Sequence, residues 1–579
     1  MKKWRIIFLI VVVFIASSGV IARLFSLQIL QYEKYIEAAE GQHGFYKTLF
    51  PHRGEIFMKD LSVSKRSPDD FYCSLATNKD FEEIYIVPKK IQELADKNEL
   101  DINKLADELS SIINLDKEVI LQRINKKDDP YEPLVSKADS EMVSKIKNLN
   151  IQGLETSLRE WRYYPKNQLA SHIIGFVGMT ENGNIGQYGL EGYYENELKG
   201  ERGVLEGEKD IYGYGIPFLS HNSEPAKDGS EIILTIDQNI QFKVEKELTK
   251  LIEDYSAESG SIIIMNPKTG AILAMANLPS FNPNEYGKVE NADIFLNPSI
   301  QKLYEPGSVF KPITVAIGLD TGKINSDTIY EDKGMLNVGG NVIGNVDGKS
   351  YGKQTMTQVL EKSLNTGAYF VQKQVGREVF QDYLKKFNFN KLTGIDLTGE
   401  VSGNIANAFT KYEVDLATIS FGQGIAITPI SLVVAIGVIA NEGKLIRPFI
   451  VDKIIYHDGS EKITKPEIKE NVISPEAAKE LTKMMVSVTE NGSGSLAKVE
   501  NYSIASKTGT AQIPDFEKGG YIEDVTHSFV GFAPAFNPEF VMLIKLDKPH
   551  GLRFAASTCG STFKRISEYL FNYLEILPE

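Results

Sequence analysis

Cysteine is nearly absent: Cys73 and Cys559 are the two in 579 residues. Two are too few for a disulfide framework and match no metal-ligand spacing, so small buried hydrophobes are their expected role. Basic charge is also in deficit, with 63 Lys and Arg against 77 Asp and Glu and a formal net charge of −14. No basic stripe occurs beyond the N-terminus, which argues against nucleic acid as a partner because phosphate binding requires a basic surface. Repeats and low-complexity stretches are missing, and no motif calls for a metal or an organic cofactor. The length exceeds what one ordinary core organises, so two or more domains are expected.

What is present begins at the N-terminus. "MKKWR" precedes "IIFLIVVVFIASSGVIA", seventeen uncharged residues, followed by Arg23 and the apolar "LFSLQIL". At 1.5 Å per residue the uncharged run covers roughly 25 Å, and its flanks extend it toward the thickness of a hydrocarbon core. A cleaved secretory signal is the competing reading, since "ASSG" resembles a small-residue cleavage site. The apolar pattern continues past that site to Leu30, which favours an uncleaved anchor. Lys2, Lys3 and Arg5 hold the N-terminus in the cytoplasm, giving a single pass through the cytoplasmic (inner) membrane with the remaining mass outside.

Residues 1–34 therefore read as a cytoplasmic tip and anchor. Residues 35–225 are charged and mixed, with helix-like stretches such as "DINKLADELSSIINL" and "DSEMVSKIKNL", and read as an elongated α+β pedestal. At "SEPAKDGSE" the texture changes. Within residues 226–579, "IILTID", "GSIIIMNPKTGAILAMA" and "FVGFAPAFNPEFVMLIKLD" read as strands joined by Pro, Gly and Asn turns. Helical stretches lie between them, as in one α/β (α+β) domain whose sheet is completed by the C-terminal part.

Within that domain "YEPGSVFKP" places Ser308 three residues before Lys311. The spacing Ser-x-x-Lys also begins at Ser62, Ser144, Ser299, Ser350, Ser495 and Ser561, so spacing alone selects nothing. Ser308 stands apart because Pro306-Gly307 ends an irregular stretch and "SVFKPITVAIGLD" has the apolar spacing of a buried helix. Pro312 suits the first turn of such a helix, and positions i and i+3 share one face, which sets Lys311 beside the serine. A plain helix cap with a solvated lysine fits the same nine residues.

A nucleophile needs a base, a proton path and an oxyanion donor. "LEKSLNTGAYFV" supplies Ser363 and Asn365, and "YSIASKTGTAQI" supplies Lys507, Thr508, Gly509 and Thr510. Ser-x-Asn also occurs at Ser220, Ser280 and Ser402, and a second Lys-Thr-Gly begins at Lys268. The Lys268 copy lies between two apolar runs, as a hairpin turn would. Lys507 lies inside an alternating, strand-like run, where Gly509 is expected to let a substrate approach the backbone closely.

Ser-x-x-Lys, Ser-x-Asn and Lys-Thr-Gly in this chain order mark penicillin-binding proteins and class A β-lactamases. With "RGEIF" at Arg53, "RYYPKNQLASHIIGFVG" at Arg162, "GLEGYYENELKGERG" at Gly189, "FGQGIAITPISL" at Phe421 and "SFVGFAPA" at Ser528, the chain resembles a class B penicillin-binding protein over nearly its full length. The resemblance implies a transpeptidase domain of the penicillin-binding/serine β-lactamase-like fold acting on peptidoglycan stem peptides and acylated by β-lactams. It implies Ser308 as nucleophile, Lys311 as base, Ser363 as proton relay and Asn365 as the residue orienting the peptide. Lys507 and Thr508 would attract the terminal carboxylate, and the N–H groups of Ser308 and Thr510 would form the oxyanion hole. One departure is "STCGSTFKRI" near the C-terminus, expected to alter the last strand.

A β-lactamase shares the acylation step, and "EKSLN" at Glu361 resembles its hydrolytic signature, but that stretch overlaps Ser363 and Asn365. A D,D-carboxypeptidase differs only in using water as acceptor. A non-enzymatic penicillin sensor would need a cytoplasmic signalling part, for which the five residues before the apolar run leave no room. No polysaccharide polymerase segment is recognisable, so a membrane glycosyltransferase is the implied partner. "LYEPGSVFKP" and "FGQGIAITPISL" look closer to division-type than to elongation-type members.

Overall fold

The computed structural model describes residues 2–30, 44–64, 72–126, 129–180, 183–208, 222–515, 519–552 and 554–579. The sequence-based boundary at residue 34 lies outside them. The N-terminal helix Lys2–Phe25 runs without a break through the "ASSG" stretch. Its segment Ile7–Phe25 is long and apolar enough to cross a membrane and has no residue buried in the protein.

By contacts the described chain forms two units, Met1–Gly54 with Lys199–Ser230, and Glu55–Leu198 with Glu231–Glu579. The first contains a three-stranded antiparallel sheet in which Gly203–Glu208 is flanked by Gly44–Leu49 and Asn222–Glu224. This grouping differs from a simple cut at residue 225, because four strands within residues 55–198 share a seven-stranded sheet with three strands that follow residue 230. Strand Ile56–Lys59 pairs in parallel with Glu231–Asp237, which pairs in turn with Val451–Ile455. Glu231–Asp237, the "IILTID" stretch, therefore belongs to this seven-stranded sheet and not to the one that carries the C-terminal strands. The pedestal helices begin where aspartates precede them: Asp101 caps Ile102–Ile113 and Asp139 caps Ser140–Asn148 by accepting from backbone N–H groups of the first turn. Arg162 and Glu191, from two of the recognised stretches, form a buried ion pair at 2.6 Å, joined by the Tyr164 hydroxyl.

The second sheet positions the candidate site. Its five antiparallel strands run in the order Ile272–Leu278, Ser259–Met265, Phe540–Asp547, Tyr521–Ala533, Ala505–Pro514. Side chains alternate between two apolar layers, as a pleat requires. Ile262 and Ile264 pack with helices Gln238–Tyr255 and Ala555–Tyr573, while Ile263 and Met265 face the larger core that includes helix Pro429–Ala440. Coverage on both faces explains why "GSIIIM" is a continuous apolar run. Helix Pro429–Ala440 is buried at every position, and Thr428 caps it.

Cys559 is buried in the first of these layers, and burial pushes its thiol up to about 12. Cys73 is only half-buried, so the expectation of a core residue holds for one cysteine of the two. "STCGSTFKRI" forms part of helix Ala555–Tyr573 and not of a strand. The apolar residues Cys559, Phe563, Ile566 and Leu570 recur at helical spacing and face the sheet.

Candidate active site

Ser308 sits on a 3₁₀ turn, Gly307–Phe310, that runs directly into the α-helix Lys311–Asp320 with Pro312 in its first turn. The sequence reading of one helix opening at Ser308 is thus resolved into a tight turn plus a helix. Gly307 has φ +61, and a Cβ there would lie 2.9 Å from the Cβ of Ala511 on the edge strand. On the other side its N–H donates to Gly422 O at 2.9 Å. The serine turn is therefore held between the edge strand and the "FGQG" loop.

Lys311 is fully buried and its ammonium group reaches Ser363, donating to the backbone carbonyl at 2.5 Å and lying 3.1 Å from the hydroxyl. Ser363 occupies the turn between helices Met356–Glu361 and Asn365–Val375 at φ +57, a region that residues with a Cβ seldom adopt. From the edge strand, Lys507 donates to the same hydroxyl at 2.9 Å and to Thr508 O at 3.1 Å. Two lysines thus converge on one serine. Burial drives Lys311 well below the ordinary lysine value, reinforced by the charge of Lys507. Burial alone brings Lys507 down to about 7.

A cavity of about 590 Å³ opens beside these groups. Ser308, Asn365 and Thr510 line it, together with Gly307, Gly344, Val346, Phe421, Gln423, Gln512, Glu523, Val525 and Phe554. Asn365 donates to Gly344 O at 2.9 Å, and Thr510 Oγ1 accepts from the N–H of Ala555 at 3.2 Å. Thr508 donates from its hydroxyl to Ser493 Oγ at 3.1 Å. Gly509 serves packing: a Cβ would lie 2.7 Å from Ser528 Oγ, 2.9 Å from Val309 Cγ1 and 3.1 Å from Pro306 O. The close approach expected of a substrate at this glycine is made instead by the serine turn itself.

All eight residues singled out from the three motifs thus meet in one region, and none of Lys268, Ser299, Ser350 and Glu361 lines its cavity. Lys268 occupies a turn capped by Asn266, and its ammonium group bonds Asn537 and Glu539, each at 2.8 Å. Ser299 donates to Asn277 from a fully buried position, and Ser350 donates to Asp332 O. Glu361 receives the Ser487 hydroxyl at 2.5 Å, and its backbone carbonyl accepts from Ser493 N.

Sequence reasoning missed three contributors. Ser493 lies in "NGSGS", an aperiodic stretch whose only signal is its glycines. Glu305, in the quoted motif itself, accepts from Gly424 N at 2.9 Å and from the Tyr521 hydroxyl at 3.0 Å, tying the loop and a neighbouring strand to the serine turn. Asp332, on a short strand, carries no motif at all.

Comparison with known proteins identifies the family. Residues 260–568 match the penicillin binding protein transpeptidase domain, and residues 51–234 match the penicillin-binding protein dimerisation domain. The chain belongs to the class B penicillin-binding proteins. Among members of this family it is 33% identical over 555 residues to Stage V sporulation protein D of Bacillus subtilis, covering 94% of this chain and 82% of that protein. It is 26% identical over 582 residues to the peptidoglycan D,D-transpeptidase FtsI of Escherichia coli, covering 100% of this chain and 93% of the other. The crystal structure of penicillin binding protein 2X from Streptococcus thermophilus superposes with a TM-score of 0.71 at 24% identity, over 91% of this chain and 80% of that one.

Proposed function

We propose that this chain is a serine D,D-transpeptidase that crosslinks peptidoglycan stem peptides through an acyl-enzyme on Ser308, and that β-lactams acylate the same serine. The observation that carries this reading is the convergence of Lys311 and Lys507 on Ser363 Oγ beside the cavity that Ser308 lines.

The chemistry follows from the two depressed lysines. Neutral Lys311 takes the proton of the Ser308 hydroxyl as its oxygen attacks the carbonyl carbon of the penultimate D-alanine. The N–H groups of Ser308 and Thr510 stabilise the oxyanion, each such donor contributing roughly 3–4 kcal/mol. The C–N bond breaks as Ser363 passes the proton to the leaving amine. The ester is then attacked by the acceptor amine, which restores the Ser308 hydroxyl and forms the new amide. Asn365 orients the donor peptide, while Lys507, Thr508 and the neighbouring Ser493 hydroxyl attract its terminal carboxylate.

Amine transfer is favoured over β-lactamase-type hydrolysis by the position of Glu361, whose carboxylate accepts from Ser487 and does not line the cavity that Ser308 lines. Functionally, residues 1–34 act as anchor, 35–225 as pedestal and 226–579 as the transpeptidase part. The apolar helix Ile7–Phe25 is long enough to cross a membrane, and Lys2, Lys3 and Arg5 ahead of it support a cytoplasmic N-terminus with the catalytic part outside. Together with residues 35–225 it docks a membrane glycosyltransferase that supplies nascent strands, in a division-type role. Mass spectrometry of muropeptides formed from lipid-linked precursor by full-length protein and a membrane polymerase tests this reading. Crosslinked dimers are expected, and they should be lost in Ser308→Ala. Hydrolysed monomers alone would identify a carboxypeptidase. Undiminished crosslinking after removal of residues 1–30 would overturn the docking role.

A further inference from the structure

Asn365 and the cavity wall beside it hang on one buried carboxylate. Asp332 is 1% exposed and ends the strand Ile329–Asp332. Its Oδ1 accepts from Thr366 Oγ1 at 2.6 Å, Asn345 Nδ2 at 3.1 Å and Gly334 N at 3.1 Å. Its Oδ2 accepts from Tyr351 N at 2.9 Å and from Asn345 Nδ2 at 3.0 Å.

These partners are not scattered. Thr366 directly follows Asn365 at the start of its helix, and Asn345 stands between Gly344 and Val346, which line the cavity beside Asn365. Asn345 Oδ1 in turn accepts from Thr366 N at 3.4 Å and lies 3.2 Å from the Thr366 hydroxyl, whose one hydrogen goes to Asp332, and Asn365 donates to Gly344 O. Asp332, Asn345 and Thr366 thus close a ring of hydrogen bonds behind Asn365 and Gly344.

We infer that Asp332 is a positioning residue for the acylation site, holding Asn365 against Gly344 in the orientation the donor peptide requires. A carboxylate is suited to this because every group facing it is a neutral donor, so two acceptor oxygens are needed and no donor is tolerated. Burial by itself would raise the carboxyl above its ordinary value. The hydrogen bonds from Thr366, Gly334, Tyr351 and Asn345 outweigh it, and the shift is downward, so the ring stays intact through neutral pH. A carboxamide at this position would set its own NH₂ against a donor and leave one N–H or O–H of the ring without an acceptor.

This inference rests on the reading of the cavity as the acylation site, which loss of labelling in Ser308→Ala checks independently. The test is a double-mutant cycle on the full-length protein in detergent, following the second-order rate of acylation by a fluorescent penicillin. Asp332→Asn should slow acylation about thirtyfold in the parent and less than about threefold in Asn365→Ala, because the effect travels through Asn365. The pH midpoint of the residual rate should stay at its parental value, since Lys311 and Lys507 are untouched. Thr366→Val should repeat the pattern, and it carries the test if Asp332→Asn does not fold. Equal losses in both backgrounds, a shifted pH midpoint, or parental rates in Asp332→Asn and Thr366→Val would each overturn the assignment.

Discussion

Lys507 donates to the hydroxyl of Ser363 at 2.9 Å, across 144 positions of sequence. That bond joins the edge strand of the five-stranded sheet to a turn between two helices. It makes Lys507 part of the same buried proton network as Lys311, where Lys268, with the same Lys-Thr-Gly context, bonds two surface side chains.

The contrast between the two lysines is measurable. Lys507→Ala should reduce the rate of β-lactam acylation by about 10²–10³, the usual effect of removing a group that stabilises developing charge. Lys268→Ala should change it by no more than about threefold, because its partners Asn537 and Glu539 lie outside the cavity. Stopped-flow acylation by a fluorescent penicillin distinguishes them, and the reverse ranking would place the sheet edge wrongly.

Burial of the lysines also sets a pH dependence. Acylation requires neutral Lys311, so its rate should rise with pH and level off well below the ordinary lysine value of 10.5. For stability the sign is opposite to that of a paired lysine. Lys507 is lowered from 10.5 to about 7, so between those values the unfolded chain binds more protons and stability increases with pH. Below that window the burial penalty is fully present. Lys507→Met should therefore raise Tm most at about pH 6 and less at about pH 9. A gain that does not vary with pH would contradict the assigned cause.

Much of the site was legible in the sequence because nucleophile, relay and strand motifs are local. Ser308 with Lys311, Ser363 with Asn365, and Lys507 through Thr510 are each a contiguous run whose residue types are dictated by chemistry. The hairpin at Lys268 was equally legible, since its turn is built from neighbours. What stayed hidden depends on long-range pairing. "IILTID" has the composition of a buried strand, and nothing local says that it pairs with Ile56–Lys59 instead of the C-terminal strands. Asp332 and Ser493 bond to residues 34 and 15 positions away, so no window of sequence contains both partners.

Gly509 shows how structure changes the reason for a residue. Gly509→Ala should displace the Pro306–Val309 turn, since a methyl group would meet Pro306 O, Val309 Cγ1 and Ser528 Oγ at 3.1 Å or less. We expect acylation to fall at least about tenfold and stability to drop by about 1–3 kcal/mol, the usual cost of overpacking. Normal acylation with weakened substrate affinity would instead support a substrate contact at this glycine.

Glu361 separates transfer from hydrolysis. Because its carboxylate is held by Ser487, nitrocefin should give a single burst without turnover, and Glu361→Gln should alter deacylation by less than about threefold. Sustained turnover that depends on Glu361 would assign it the hydrolytic role.

The central claim is that Ser308 is the residue acylated, and peptide mapping of the full-length protein after exposure to benzylpenicillin tests it most directly. One covalent adduct is expected, located on the peptide that contains Ser308, present in Ser299→Ala and absent in Ser308→Ala. An adduct on any other residue, or undiminished adduct formation in Ser308→Ala, would contradict it.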